Sequence, residues 1–456
     1  MKKTLAIVLT LLLSSFSLIG CADETGSSEK TSSGPGEVSS GAASSEKDDS
    51  GKASSEETAA GDTEMEITYW TIAGNRPAHI ETAIEMYKDV EPGIKVNLVV
   101  NATDDQKKNL KISAASNSMP SMWFNWGGSL GSFYPENGIS YNLNDYAESH
   151  GFSDMYNADA IEMCTFDGQL SGVPEAMAMF GVFYSKPMFE KAGITTLPAT
   201  HEEFEDVLAK LKESGVIPIA SGGKSGWQPF RLVEFLMEKN LGAEKHDQLL
   251  NMDSEIWLDD GITQSFQEFK SYVDAGYFPE GFVTQDPADS KNLVYNGLAA
   301  ILIDGPSIES LVHADGQNPD DYDWFSLPLS DTTNRMTSFV QMAQFSSQLT
   351  EEELDAAIKF QQFCFSPEVI AAAGPTVPQY VPRNDNVLGE DMKMIDKMVE
   401  ALDENGGFLI TDQALPQEVV ARMFEVQDAV IAGQMTPEEV GPAMKEFCDN
   451  YIAANS

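Results

Sequence analysis

The sequence is poor in cysteine, histidine and basic residues, and each shortage excludes a class of protein. Four cysteines in 456 residues are too few for a disulfide scaffold. Cys164, Cys364 and Cys448 lack C-x-x-C spacing, so we expect no redox or metal site, with buried thiols or one disulfide both open. With 28 basic and 72 acidic residues, and only five histidines, the chain lacks the basic surface that nucleic acid or an anionic membrane surface requires.

Catalytic and cofactor-binding motifs are also missing. Gly223-Lys224-Ser225 resembles the end of a P-loop, but Pro218 stands where the first glycine of that motif belongs. No G-x-S-x-G nucleophile elbow occurs. We therefore expect no cofactor, no metal and no enzymatic activity. Hydrophobic residues make up 42% of the chain, which is enough for two or three domains or two large lobes.

The first twenty residues have the pattern of a signal peptide. Lys2 and Lys3 precede an apolar run over residues 5–19, which is shorter than a membrane span. The run ends in Leu18-Ile19-Gly20-Cys21, which is typical of a bacterial lipobox. We expect residues 1–20 to be removed and Cys21 to carry the lipid that anchors the protein at the extracellular face of the cell membrane. An ordinary secretory signal that contains a cysteine is the alternative.

Residues 21–63 have the composition of a flexible linker. They are rich in Ser, Gly, Ala and charged residues and contain almost no apolar side chain, so they cannot bury enough surface to fold. The folded part is expected to begin near Glu64.

The remaining sequence predicts an α/β fold. Strands at 65–70, 94–100 and 121–126 alternate with helices at 78–89 and 104–116, an order that indicates a parallel sheet flanked by helices. Strands and helices also alternate in the second half of the chain, which ends in a mainly helical region. There we predict strands at 178–184, 216–220 and 298–303, and helices at 200–214, 230–241, 262–275, 351–365 and within 390–455. The architecture expected is two α/β lobes with several crossings between them.

Several segments, taken in order, resemble the bacterial extracellular solute-binding proteins of family 1, the carbohydrate-type receptors of ABC importers. They are residues 67–70 (ITYW), 167–174 (DGQLSGVP) with 183–186 (FYSK), 197–200 (LPAT) with Phe204, 296–300 (NGLAA) with Asp304-Gly305, and 430–439 (VIAGQMTPEE). Ser185 and Leu298 depart from the residues usual in the family, which puts the subfamily in doubt but not the fold.

The resemblance implies a two-lobed periplasmic-binding-protein-like fold of type 2, hinged at three crossings that close around a solute. Lobe 1 would comprise residues 65–177 and 344–379, and lobe 2 residues 181–338 and 384–456. The hinge segments would lie near residues 178–182, 339–343 and 380–383.

Sugar recognition requires flat apolar faces and short polar side chains, which strand ends and loops supply here. The candidate ligand-binding residues are Trp70, Asn75, Asn125, Trp126, Glu175, Trp227, Gln228, Asp304 and Gln341. Glu175 is expected in the turn after Val173-Pro174, and Gln341 inside a hinge segment. Core packing for the tryptophans, a loop cap for Asn125 and ordinary solvated acids for Glu175 and Asp304 are the alternatives.

Three functions fit these observations. The first is a monomeric, lipid-anchored receptor that captures a sugar or oligosaccharide and delivers it to the permease subunits of an ABC transporter. The second is a lipid-anchored glycoside hydrolase with Glu175 and Asp304 as its acid/base pair. The third is a solute-sensing subunit of a signalling system. An acidic solute is disfavoured, because Arg76 and Arg231 are the only basic residues expected near the site.

Overall fold

The computed structural model describes residues 65–376, 380–386 and 392–455. The predicted signal peptide (1–20), the lipidated Cys21 and the linker (21–63) lie outside the described residues, as do residues 377–379, 387–391 and 456 of the predicted lobes. No helix in the described part combines the length and the hydropathy of a membrane-spanning segment. Cys164, Cys364 and Cys448 are buried free thiols.

The strands belong mainly to two sheets. They are β1 (Met65–Ile72), β2 (Ile94–Asn101), β3 (Met122–Trp126), β4 (Thr165–Phe166), β5 (Gln169–Leu170), β6 (Gly172–Met179), β7 (Gly181–Ser185), β8 (Ile217–Ala220), β9 (Ala299–Asp304), β10 (Tyr322–Phe325), β11 (Met336–Phe345) and β12 (Gly407–Leu409).

The helices connect these strands and form most of the C-terminal region. They are α1 (Arg76–Val90), α2 (Thr103–Ala115), α3 (Ser129–Glu136), α4 (Asn144–Ser149), α5 (Phe152–Met155), α6 (Ala158–Met163), α7 (Lys186–Lys191), α8 (His201–Glu213), α9 (Trp227–Leu241), α10 (Ala243–Leu250), α11 (Asp260–Asp274), α12 (Ser290–Tyr295), α13 (Ser307–Ala314), α14 (Glu351–Cys364), α15 (Pro367–Ala373), α16 (Lys393–Asn405), α17 (Thr411–Ala414), α18 (Gln417–Ile431) and α19 (Pro437–Asn455).

The first sheet has the order β12–β11–β3–β1–β2, and β6 also pairs with β11. β1 is parallel to both β2 and β3, which confirms the predicted β-α-β-α-β unit. β11 runs antiparallel to β3 and to β6, so the sheet is mixed. Sequence periodicity did not predict these antiparallel pairings, because β11 joins the sheet from a distant part of the chain.

The second sheet has the order β10–β7–β9–β8. β8 and β9 are parallel, whereas β7 is antiparallel to β9 and to β10. The continuous strand predicted at 178–184 is in fact two strands, since β6 ends in the first sheet and β7 begins in the second after Phe180. Gly181 is required there, because a Cβ at this position would overlap the indole of Trp324.

Helix α8 illustrates why the predicted helices form. Its buried residues Phe204, Val207, Leu208 and Leu211 follow the i, i+3, i+4, i+7 spacing of one helix face. Thr200 caps the helix by accepting a hydrogen bond from the backbone N–H of Glu203 at 3.2 Å.

The loop after β3 packs closely against the C-terminal region. Gly128 has a φ of +63°, and a Cβ there would lie 2.8 Å from the carbonyl carbon of Gln413. Gln417 Nε2 also donates to Ser129 Oγ at 2.9 Å. β12 precedes this segment and pairs with the start of β11, so the chain at 407–417 contacts the first sheet although we assigned it to lobe 2.

This contact predicts unequal effects of alanine at Gly128, with φ +63° and ψ −147°, and at Gly374, with φ +65° and ψ −152°. An added Cβ at Gly374 would meet no atom within 4 Å, so Gly374→Ala should cost only the backbone strain of this region, about 1–3 kcal/mol. Gly128→Ala should cost about 1–3 kcal/mol more, because it also overlaps Gln413. Urea unfolding of the two variants measures the difference. Equal losses would contradict the contact between the loop and residue 413.

Candidate functional site

A cavity of about 630 Å³ lies where the carboxyl ends of β1, β3 and β9 meet the start of α9. Its volume falls in the range of roughly 300–1,000 Å³ that is usual for small-molecule sites. Ala178 and Phe180, from the passage between β6 and β7, and Phe339 and Gln341, from β11, also line it. The cavity is therefore built from both sheets and from the segments that pass between them.

Six of the nine candidate residues line this cavity: Asn75, Trp126, Trp227, Gln228, Asp304 and Gln341. Their role in ligand binding stays a prediction. The amide of Gln228 is already engaged, because its Oε1 accepts from Gly222 N–H at 2.6 Å and its Nε2 donates to Ser290 Oγ at 2.9 Å. Gln228 thus holds the glycine-rich loop beside the cavity.

Trp70 and Asn125 lie outside the cavity, contrary to our expectation. Trp70 is half-buried and packs against Leu110, Trp123 and Tyr134. Asn125 is buried and its Nδ2 donates to Leu130 O at 3.1 Å and to Gln344 Oε1 at 2.8 Å. Trp70 therefore matches the alternative of core packing, and Asn125 matches the alternative of a loop cap.

Glu175 is also outside the cavity, and it lies within strand β6 and not in a turn. Its side chain has no exposed surface. Glu175 Oε1 accepts from the Tyr69 hydroxyl at 2.5 Å, and Oε2 pairs with Arg76 Nη1 at 2.7 Å. Burial raises the pKa of Glu175, and these two partners act against that rise.

Arg76 connects the cavity to both strands that reach the second sheet. It is the first residue of α1 and lines the cavity, but its side chain is only 2% exposed. In addition to Glu175 of β6, it binds Gln341 Oε1 of β11 through Nη2 at 2.7 Å. Its guanidinium lies 4.3 Å from the centre of the Phe124 ring. One side chain therefore fixes α1, β6 and β11 relative to one another.

Two aromatic residues of the cavity, Phe180 and Phe339, were missed by sequence reasoning. Their ring centres are 5.3 Å apart and their planes are inclined at 64°. The only sequence feature that pointed to them was the apolar run around Phe180. Such a run does not distinguish a core strand from a segment that lines a cavity.

Every lysine and arginine of the cavity lining is paired with a carboxylate. Arg76 pairs with Glu175, Lys224 with Asp286 at 3.2 Å, Arg231 with Asp304 at 3.4 Å, and Lys291 with Asp315. The lining also contains Asp104 and Asp105. Among the described residues that line the cavity, no cationic side chain is therefore left without a carboxylate partner. Lys107, which lies over the Trp126 ring but does not line the cavity, has no carboxylate within salt-bridge distance in the described part of the chain.

Glu234 anchors the helix that carries Trp227 and Arg231. It is buried on α9, and its Oε2 accepts from the backbone N–H of Thr411 at 3.0 Å. Burial is the main cause that raises the pKa of Glu234 to about 8. The carboxyl group therefore stays protonated in the folded protein at neutral pH.

Comparison with known proteins identifies a family. The family model described as bacterial extracellular solute-binding protein matches residues 73–371, well over half of the chain. The xylose/arabinose-binding protein XacG of Haloferax volcanii is 23% identical over 281 residues, which are 59% of this chain and 59% of XacG. The diacetylchitobiose binding protein DasA of Streptomyces coelicolor is 25% identical over 178 residues, 39% of this chain and 40% of DasA. A Brucella abortus binding protein matches over 61% of its own length, so these relatives are covered for less than two thirds.

Solved structures show the same fold. A chitin oligosaccharide binding protein superposes with a TM-score of 0.75 at 23% identity, covering 84% of this chain and 98% of that protein. The maltose-bound MalE3 of T. maritima superposes with a TM-score of 0.73 at 17% identity, covering 85% of this chain and all of that one. These likenesses confirm the predicted two-lobed α/β fold.

The protonated Glu234 predicts a pH dependence of stability. The folded state holds this proton up to about pH 8, whereas a glutamate in the unfolded chain loses it near its ordinary value of 4.5. The stabilising contribution is therefore complete below pH 4.5 and is lost as the pH rises towards 8. Glu234→Gln cannot ionise, so the variant should gain stability relative to the unmodified protein across this interval. Urea unfolding at a series of pH values measures the difference, and a constant difference would contradict the protonated state.

Proposed function

The chain belongs to the bacterial extracellular solute-binding proteins, and we propose that it captures an uncharged saccharide in the cavity and delivers it to the permease of an ABC importer. The observation that carries the proposal is the lining of the cavity. It combines aromatic faces from both sheets with short polar side chains, which are the groups that the C–H surface and the hydroxyls of a sugar require.

Residues from both sheets line the cavity, which supports capture of the saccharide between two lobes. Asn75 follows β1 and Trp126 ends β3 in the first sheet, whereas Asp304 ends β9 of the second sheet. Trp227 begins α9, which follows β8 of the second sheet. We propose lobe boundaries and hinge segments as the sequence indicated, with movement at residues 178–182, 339–343 and 380–383. A saccharide that contacts both lobes binds the closed form more tightly and so favours closure.

The charge of the lining supports an uncharged ligand. A carboxylate or phosphate on the sugar would need a cationic partner, and the four lining cations are already paired. An anion would have to displace one of these carboxylates or be buried near Asp104 and Asp105 without compensation.

The position of the protein follows from the N-terminal pattern. We propose that Cys21 carries the lipid and that residues 21–63 act as a tether to the extracellular side of the membrane. A monomer suffices for this function.

The hydrolase alternative loses its acid/base pair, because Glu175 is buried away from the cavity and bound to Arg76. The sensing alternative shares the same site. Copurification from membranes would distinguish the two functions. A receptor for import should retain a permease, whereas a sensing subunit should retain a signalling kinase.

The proposal is tested first by a thermal-shift screen of the purified protein with matched neutral and uronic oligosaccharides. A neutral saccharide at 100 times its Kd should stabilise the folded protein by about 2.7 kcal/mol without being hydrolysed. Its uronic counterpart should bind at least about tenfold more weakly, since the four cations that line the cavity are already paired. Equal or tighter binding of the uronic sugar would refute the uncharged class, and no response to any saccharide would refute the sugar assignment.

Trp227→Ala should weaken binding of that saccharide by about 1–3 kcal/mol, because the indole supplies a stacking surface in the cavity. Trp70→Ala removes the same side chain outside the cavity and should leave the Kd unchanged, whatever it does to the melting temperature. Isothermal titration calorimetry measures both values. An unaltered Kd for Trp227→Ala, or equal losses for both variants, would contradict the assigned stacking surface.

A further inference from the structure

Arg231 lies close to two aromatic rings of the cavity. It lies one helical turn after Trp227 on α9. Its guanidinium carbon is 4.6 Å from the centre of the Trp227 ring and 3.9 Å from the centre of the Phe180 ring. A cation at these distances is attracted to the face of each ring. Arg231 therefore covers one face of the indole that we assign to saccharide stacking.

The guanidinium nitrogen Nη1 of Arg231 is also held by polar contacts. Nη1 donates to the carbonyl of Ile303 at 2.8 Å and lies 3.4 Å from Asp304 Oδ2. The other carboxylate oxygen, Asp304 Oδ1, accepts from the Gly305 N–H at 2.8 Å. The side chain is only 11% exposed. The guanidinium is thus fixed to the carboxyl end of β9.

Phe180, the other ring that the guanidinium contacts, belongs to the passage between the two sheets. Its backbone N–H donates to Thr337 Oγ1 at 2.9 Å, and its ring contacts Phe339 of β11. A continuous series of contacts therefore leads from α9 to two proposed hinge segments. It runs from Trp227 through Arg231 and Phe180 to Phe339.

From this geometry we infer that Arg231 is a positioning residue, which fixes the Trp227 ring and couples it to the passage at Phe180. Because Arg231 covers one face of the indole, a saccharide stacks on the opposite face alone. The statement about the saccharide rests on the proposed function, whereas the positioning of the ring does not. A lysine cannot replace this arginine, since an ammonium group lacks the planar surface that lies over the two rings.

Lys107 and Trp126 provide a matched control in the same cavity region. Lys107 Nζ lies 5.0 Å from the centre of the Trp126 ring, and Trp126 lines the cavity as Trp227 does. Lys107→Met should therefore alter the environment of Trp126 and leave that of Trp227 unchanged.

The positioning claim is tested without ligand by ¹⁹F NMR of the full-length protein labelled with 5-fluorotryptophan. The chain has six tryptophans, and Trp227→Phe and Trp126→Phe identify the two resonances. Arg231→Lys should shift and broaden the Trp227 resonance and leave that of Trp126 in place. An unchanged Trp227 resonance would overturn the inference. Arg231→Met, which keeps the apolar stem, gives the same test if the lysine variant does not fold.

The coupling to ligand is tested by a double-mutant cycle with the saccharide found in the screen. Arg231→Lys should weaken binding about tenfold in the unmodified protein but less than about twofold when Trp227 is already alanine, since the two side chains act together. Equal weakening in both backgrounds would overturn the coupling. If no saccharide binds the unmodified protein, the proposed function fails, and the ¹⁹F result still decides the role of Arg231.

Discussion

The structure depends most on one buried ion pair, between Arg76 and Glu175. Two charges are removed almost completely from water, and removing one partner of such a pair costs about 3–5 kcal/mol because the other is left uncompensated. The pair is satisfied by Tyr69 on the acidic side and by Gln341 on the basic side. Through these contacts the first residue of α1 holds the two strands, β6 and β11, that lead to the second sheet. These contacts therefore hold β6 and β11 beside the cavity, next to the proposed hinge segments.

The same principle of paired charges shapes the rest of the cavity. In a chain of net charge −44, the cationic side chains that line the cavity are paired with carboxylates of the protein and are not free to attract a charged ligand. What remains for recognition is the surface of the aromatic rings and a few short polar groups. This combination favours a saccharide, and the cations that lie over Trp227 and Trp126 restrict how it can stack.

Local patterns allowed much of the fold to be predicted. The strands and helices from β1 to β3, the Thr200 cap and the apolar face of α8 follow from residues close together in sequence. Glu175 was misplaced because Val173-Pro174 suggested a turn, whereas pairing with the distant β11 makes the segment a strand. Trp70 was misplaced because a strand end does not show which face a side chain occupies. Phe180 was missed because its neighbours are equally apolar. The resemblance implied a crossing near residues 178–182, but only the structure shows that Phe180 lines the cavity there.

A crystal structure of the protein with a bound saccharide would show whether the cavity encloses the sugar between groups of both sheets. We expect a sugar ring on the face of Trp227 opposite Arg231, with hydroxyls within hydrogen-bond distance of Asn75 and Asp304. We also expect the Arg76–Glu175 pair to remain intact below the ligand. A saccharide bound elsewhere on the protein, or one that contacts residues of a single sheet, would refute capture between the two lobes.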